Sequence, residues 1–193
     1  MDEAGRGPWA GPVVAAAVIL PARPLAVRID DSKRLTPAQR LRAFHVICAR
    51  AEFGVGIACA EEVDRRNVLQ ASLLAMQRAV ARLPRSPQLV LVDGPHAPSL
   101  SAPAWPLVHG DQLSRAIGAA SIVAKVIRDD LMTFYHALLP QYAFDRHKGY
   151  GTALHAERLA AHGPSWLHRL SVEPVRAAAE HAAMQGSAGW VTF

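Results

Sequence analysis

Lysine is nearly absent from this chain: Lys33, Lys125 and Lys148 are the only three among 21 basic residues, the other 18 being arginines. The imbalance suits an Arg-biased genome, and each lysine falls inside a motif. Cysteine is scarce as well. Cys48 and Cys59 lack the C-x-x-C spacing and are too few for a disulfide framework, so a reducing cytoplasm is the simplest reading. No apolar run reaches the roughly 18 residues that cross a bilayer, which argues against a membrane partner. The longest, Val13 to Leu20, suits a buried strand. The chain opens Met1-Asp2-Glu3 without a basic-then-apolar leader, so secretion has no support. Internal repeats, low-complexity tracts and clear linkers are missing, and no serine or cysteine triad offers a covalent route.

What is present fits one domain over residues 1–193, long enough to bury a core without staples. Hydrophobic residues at 51% against 19% charged argue against disorder. A formal charge of +5 and a pI near 9.8 favour polyanionic partners, though only modestly. A monomer is the default expectation.

Val13 to Leu20 is β-branched-rich and reads as a strand buried on both faces. Thr36-Pro37 is an N-cap followed by proline at the first helical position, and predicts a helix to about Ala51. Phe53 to Ala60 reads as a strand, and Glu61 to Leu83 as one long helix with Val68, Leu69, Leu73, Met76 and Val80 at core spacing. Further strands are expected at Gln88–Asp93 and Trp105–His109, and a helix from Asp111 to about Leu139. Two more helices are expected at 152–162 and 173–183. This mixture predicts an α/β layered domain.

Four carboxylates stand where a structural role is hard to supply. Asp93 ends an apolar strand, Asp111 follows a glycine at a helix start, and Asp2-Glu3 precede Gly5-Arg6-Gly7. Taken singly, each has a plain reading: a turn acid, an N-cap, a solvated terminus. Together they can converge on one sheet edge, where open α/β folds put their sites. Neighbours in a strand face opposite sides, so Asp2 and Glu3 serve one site only if the backbone bends. Oxygen ligands of this kind suit Mg²⁺ or Mn²⁺, and several carboxylates around hard ions suggest phosphoryl-transfer chemistry.

The segments carrying these acids closely resemble ribonuclease HII, the type 2 ribonuclease H family. They are DEAGRGPWAGPVVAAAVIL (2–20), DDSKRLTPAQR (30–40), LVDG (91–94), GDQLSRAIGAASIVAKVIRD (110–129) and HKGYGTALHAERLAAHG (147–163). The resemblance implies an RNase H-like fold, a mixed central sheet flanked by helices, with a helical C-terminal portion over about 150–193. It further implies cleavage of the RNA strand of RNA/DNA hybrids, and cleavage 5′ to single ribonucleotides in duplex DNA, leaving 3′-hydroxyl and 5′-phosphate ends. Such an enzyme serves ribonucleotide removal from DNA. By the family's pattern Asp2, Glu3, Asp93 and Asp111 are the catalytic, metal-binding acids, with Mn²⁺ or Mg²⁺ as cofactor. Gly5, Arg6 and Gly7 form the loop laid against the ribonucleotide 2′-hydroxyl. Tyr150, within His147-Lys148-Gly149-Tyr150, packs on the neighbouring deoxyribose. Lys33 and Lys125 are phosphate contacts, with Ser32 and Ser121 as weaker candidates and Lys148 among the substrate-binding residues; phosphate contacts position a duplex without reading sequence. His147 and His155, eight apart, match no zinc spacing.

The chain departs from the family's pattern in places. A strand normally precedes the Asp-Glu pair, whereas only Met1 does here. The expectation is that the first strand is missing and that Asp2 and Glu3 are poorly anchored. His168-Arg169-Leu170-Ser171-Val172 ends in valine where the family has an aromatic. The tail residues Trp190-Val191-Thr192-Phe193 are a loose match to the sliding-clamp peptides of some relatives. Two other readings stay open, an inactive duplex-binding member of the same fold and a DNA-cutting nuclease of the wider superfamily, whereas a metal-free basic scaffold fails to explain four acids at element ends.

Overall fold

A computed structural model describes residues 1–184; the clamp-like tail at Trp190 to Phe193 lies outside the described residues. β1 (Asp2–Ala4) and β2 (Val13–Ile19) pair antiparallel, and β2 pairs antiparallel with β3 (Glu52–Ala58). Between them runs α1 (Pro37–Arg50), which starts where the sequence predicts. Thr36 caps it, Pro37 takes the first helical position, and Gln39 completes a reciprocal capping box. A second sheet pairs β4 (Val90–Asp93) in parallel with β5 (Ala104–Leu107).

Met1 joins the two sheets. Its amino group donates to the Leu91 carbonyl at 2.6 Å, and its carbonyl accepts from Asp93 N–H at 3.1 Å. The three-stranded sheet β1-β2-β3 and the two-stranded sheet β4-β5 thus meet at Met1, with the three-residue β1 alongside β4. Met1 is only 4% exposed and Asp2 6%. The expectation of a poorly anchored acid pair is thus corrected, and the solvated-terminus reading falls with it. Backbone contacts run from Met1 to β4 on one side and from β1 to β2 on the other.

β2 is buried on both faces, as its apolar run predicts. Val13, Ala15 and Ala17 face one core with α3 (Val68–Ala81), while Ala16 and Val18 face another with α1 and α5 (Arg115–Leu138). The alternation is the period-2 geometry of a strand. Close approach is possible because the residues are small: a Cβ on Gly54 or Gly56 of β3 would run into the Ala79 or Ala75 carbonyl of α3.

Two expected long helices are each broken. The 61–83 pattern divides into α2 (Ala60–Arg66) and α3 at Asn67, whose φ is +68° and whose side chain accepts from Gln70 N–H at 3.1 Å. The Asn67 side chain caps α3, while the apolar periodicity runs on past the break. The Asp111 helix likewise divides into α4 (Gly110–Leu113) and α5 at an extended Ser114. That break lets α4 present Asp111 to β4 while α5 runs under the sheet. The C-terminal portion is helical, with α6 (Phe144–His147), for which the sequence pattern carries no signal, then α7 (Ala153–His162) and α8 (Glu173–Met184). Among the described residues no helix is long and apolar enough to cross a membrane.

Candidate active site

Asp2 of β1, Asp93 at the end of β4 and Asp111 at the start of α4 bring carboxylate oxygens within 4.8 Å of one another. The Asp111 amide donates to Asp93 Oδ1 at 3.3 Å. At such spacing two ionised carboxylates repel by roughly 3 kcal/mol under an effective dielectric of about 20. The consequence is visible in Asp2. Burial first, then the charges of Glu3 and Asp93, push its carboxyl up to about 7, against the Ser121 hydroxyl and the Glu3 amide, which pull it down. Asp111 is also pushed up, by burial and then by Asp93 and Asp31. An all-oxygen donor set held together against its own repulsion fits a hard divalent cation, whose charge would offset both the burial and the repulsion.

Glu3, the fourth sequence candidate, is not one of the three acids whose oxygens lie within 4.8 Å of one another. Register puts Asp2 opposite Ala16 and Glu3 opposite Ala15, which belong to different cores, yet Glu3 stays close enough for its charge to raise the Asp2 carboxyl and to feel Asp93. Glu3 instead pairs with Arg6 at 3.2 Å, and its Oε2 is buried without a partner. Burial pushes its carboxyl up, with Arg6 opposing. An orphaned buried oxygen beside three clustered acids is a further fit to a cation.

The predicted phosphate contacts fall into two groups. Lys33 is exposed and its charge pulls the Asp111 carboxyl down. Its backbone N–H is held by Asp31, which caps the short turn 32–34. Lys125 pairs with Asp129 at 2.8 Å, and Lys148 donates to Thr133 Oγ1 and the Asp145 carbonyl, both at 2.8 Å. Ser32 and Ser121 are different: both are buried, their hydroxyls lie 3.0 Å apart, and Ser121 also bonds Asp2. They brace the acid from beneath rather than face outward.

Residues 5–12 form a loop whose carbonyls turn inward onto two buried guanidiniums. Arg169 donates to the carbonyls of Gly5 (2.6 Å), Arg6 (2.9 Å), Pro8 (3.0 Å) and Gly11 (2.7 Å). Arg128 donates to those of Ala10 (3.2 Å), Pro12 (3.0 Å) and, across the site, Lys148 (3.0 Å). Carbonyl and amide point oppositely in a planar trans peptide. Inward carbonyls on Gly5 and Arg6 therefore turn the Arg6 and Gly7 amides outward. Gly5 makes this turn at φ +97°, and a Cβ there would strike Arg128, whereas one on Gly7 meets nothing within 4 Å. Burial, then the neighbouring Arg128 charge, lower Arg169 to about 10, so it stays cationic at neutral pH.

Tyr150 sits on the adjoining loop, 41% exposed, with Lys125 Nζ 5.8 Å and Arg128 Cζ 5.7 Å from its ring centre. The Gly149 carbonyl accepts from Trp9 N–H (2.8 Å) and Ala10 N–H (3.3 Å), which stitches the two loops into one surface.

Sequence reasoning missed Arg128 and Arg169. Arg128 had a signal, since Ser121, Ala124, Arg128 and Met132 follow helical spacing and all are buried. Arg169 had none, because its partners lie about 160 residues away in the chain.

A model of the family described as ribonuclease HII matches residues 1–173. The chain is 53% identical over 176 residues to Ribonuclease HII of Verminephrobacter eiseniae (strain EF01-2), covering 91% of this chain and 84% of that protein. Among solved structures, ribonuclease H2 from Pyrococcus horikoshii OT3 superposes with a TM-score of 0.76 at 24% identity, covering 93% of this chain and 95% of that one. Bst-RNase HIII in complex with Mn²⁺ gives a TM-score of 0.70 at 18% identity, over 95% of this chain and 69% of that one. At those identities the two structures speak for the fold alone, an RNase H-like α/β architecture.

Proposed function

This chain belongs to the ribonuclease HII family, a nuclease of ribonuclease H type, and on that basis we propose that it cuts the RNA strand of RNA/DNA hybrids and cuts 5′ to single ribonucleotides within duplex DNA. The observation that carries the proposal is the convergence of Asp2, Asp93 and Asp111 beside the outward amides of the Gly5-Arg6-Gly7 loop. A hydrolytic centre and a reader of the 2′-hydroxyl are both needed, and they adjoin.

The three aspartates, with Glu3 at their side, are the residues that would hold Mg²⁺ or Mn²⁺. Two such ions, when bound, would supply an activated water, charge neutralisation at the scissile phosphate and stabilisation of the leaving 3′ oxygen. The chain's own contribution is positioning. The Arg6 and Gly7 amides donate to the 2′-hydroxyl and the adjacent phosphate, and the 2′-hydroxyl is what separates RNA from DNA. The Tyr150 ring offers an apolar face to the next deoxyribose, a contact that carries no sequence information. Lys33, Lys125 and Lys148 lie along the phosphate track, and Ser32 with Ser121 hold Asp2 in place. Products are a 3′-hydroxyl and a 5′-phosphate. Arg169 of the C-terminal portion holds the loop next to β1, which favours one catalytic domain. Free Cys48 and Cys59 suit the cytoplasm, where the proposal places the enzyme.

The test is an end-labelled DNA duplex carrying one ribonucleotide, incubated with Mg²⁺, Mn²⁺ or EDTA beside an all-DNA control. Metal-dependent cutting 5′ to the ribonucleotide alone supports the proposal. Binding without cutting would move the protein to the inactive duplex-binding reading, and cutting of the all-DNA control would refute the role of the 2′-hydroxyl.

A further inference from the structure

Behind Tyr150 lie three histidines that the proposed chemistry does not use. His155 is fully buried, and His168 and His147 are 3% and 7% exposed. His147 and His155 stack with ring centres 4.3 Å apart, and His155 Nε2 lies 3.1 Å from His168 Nε2. Two imidazole nitrogens so close require one to donate and the other to accept.

Main-chain groups decide which is which. The Ser165 N–H donates to His168 Nδ1 at 3.0 Å, so that nitrogen carries no proton and the neutral His168 ring is protonated at Nε2. His168 Nε2–H therefore donates to His155 Nε2. The His155 proton is then on Nδ1, which faces the Tyr150 carbonyl at 3.0 Å. His147 obeys the same rule: it accepts from Gly149 N–H at Nδ1 (3.1 Å) and donates from Nε2 to the Tyr142 carbonyl (2.8 Å). Burial keeps the rings neutral, with His155 lowered to about 4 and His168 to about 3. A one-directional chain thus runs Ser165 N–H, His168, His155, Tyr150 C=O. The Thr152 amide, 2.9 Å away, is a second donor to that carbonyl.

We propose that His155, locked as its Nδ1–H tautomer by His168, is a positioning residue that sets the Tyr150 backbone and hence the angle of the ring against the ribonucleotide–DNA junction. The proposal rests on the junction-sensing reading of Tyr150. Its physical content is tautomeric. Tyr150 lies in a loop next to Lys148 at φ +52° and Gly149 at φ +84°, so a small rotation of its peptide swings an exposed ring. The His155 hydrogen bond opposes that rotation from the buried side.

Two substitutions separate the halves of the chain. In His155→Asn the amide nitrogen falls near the Nδ1 position and keeps the donor to Tyr150. In His155→Gln the amide falls near Nε2, keeps the His168 contact and loses Tyr150. Both are assayed with Tyr150→Ala on a single-ribonucleotide duplex and on a long RNA/DNA hybrid. The expected result is a fall in the ratio of single-ribonucleotide to long-hybrid kcat/KM for Tyr150→Ala and for His155→Gln, on the order of tenfold, since misplacing a positioning group costs up to about a hundredfold. His155→Asn should keep the ratio within about twofold of wild type, being rescued by the retained donor. If Tyr150→Ala lowers both substrates equally, the Tyr150 reading fails and takes the proposal with it. If Tyr150→Ala is selective while His155→Gln is not, the proposal alone fails. Should the variants not fold, long-range ¹H–¹⁵N spectra of the unaltered protein decide: His155 protonated at Nδ1 and His168 at Nε2 supports the chain, and His155 protonated at Nε2 overturns it.

Discussion

Replacing Asp2 by Asn should make the metal-free protein more stable and at the same time inactive. Burial and the charges of Glu3 and Asp93 raise the Asp2 carboxyl from 3.8 to about 7 in the folded state. A folded-state pKa above the unfolded one means stability that is complete below the unfolded value and is lost as pH climbs through the folded value. In EDTA the wild type should therefore lose stability between about pH 4 and pH 7, and the Asn variant should lack that slope. Three pKa units correspond to a ceiling of about 4 kcal/mol. Glu3 and Asp93 share the repulsion, and Asn weakens the Ser121 and Glu3 amide contacts, so about 2 kcal/mol is the expected gain at pH 8. For a domain of this size that is roughly 4–8 °C in Tm. The Met1 amino group, lowered by burial to about 6 with Asp2 opposing, gives an opposite slope between pH 8 and 6 that the variant, lacking the Asp2 charge, extends to still lower pH. The readout is consequently the Tm difference, variant minus wild type, measured by scanning calorimetry or dye fluorescence at pH 5 and pH 8. Mn²⁺ should then raise the wild-type Tm at pH 8 more than that of the variant, because the cation relieves the same repulsion. A Tm difference that is the same at both pH values would refute the burial-and-repulsion account of this site.

Other parts of the molecule give three further expected outcomes. Asp93→Asn should abolish metal-dependent cleavage while leaving duplex binding in an electrophoretic shift assay, and retained cleavage would remove Asp93 from the catalytic set. Arg169→Lys keeps a charge but loses the fork that holds four carbonyls; it should cost about 2–4 kcal/mol in denaturant unfolding and raise KM on every ribonucleotide substrate. Gly56→Ala places a methyl against the Ala75 carbonyl of α3; overpacking of that kind costs about 1–3 kcal/mol, and cleavage rates well below the lowered Tm should match wild type.

Much of the site was legible in the sequence because its chemistry is written in local patterns. A carboxylate at the end of an apolar strand, another after a glycine at a helix start, and a Thr-Pro cap are each set by a few adjacent residues, and the structure places Asp93, Asp111 and α1 accordingly. The apolar runs likewise marked β2 and β4, because alternation and burial are properties of the segment itself. Helix breaks at Asn67 and Ser114 were not legible, since the apolar period continues across them and only a cap or an extended residue interrupts the backbone. Nor was the pairing of Glu3 with Arg6 rather than with another acid.

The order of amino acids alone supplied the candidate groups: four acids, a Gly-Arg-Gly loop, a tyrosine on a turn, three lysines. How they are held was settled by folding. Met1 bridging two sheets, Arg169 gathering carbonyls from the far end of the chain, and His168 dictating the tautomer of His155 are all contacts between distant segments. A hydrogen-bond direction or a buried charge has no local signature, because its energy depends on which groups folding has brought within about 3 Å and removed from water.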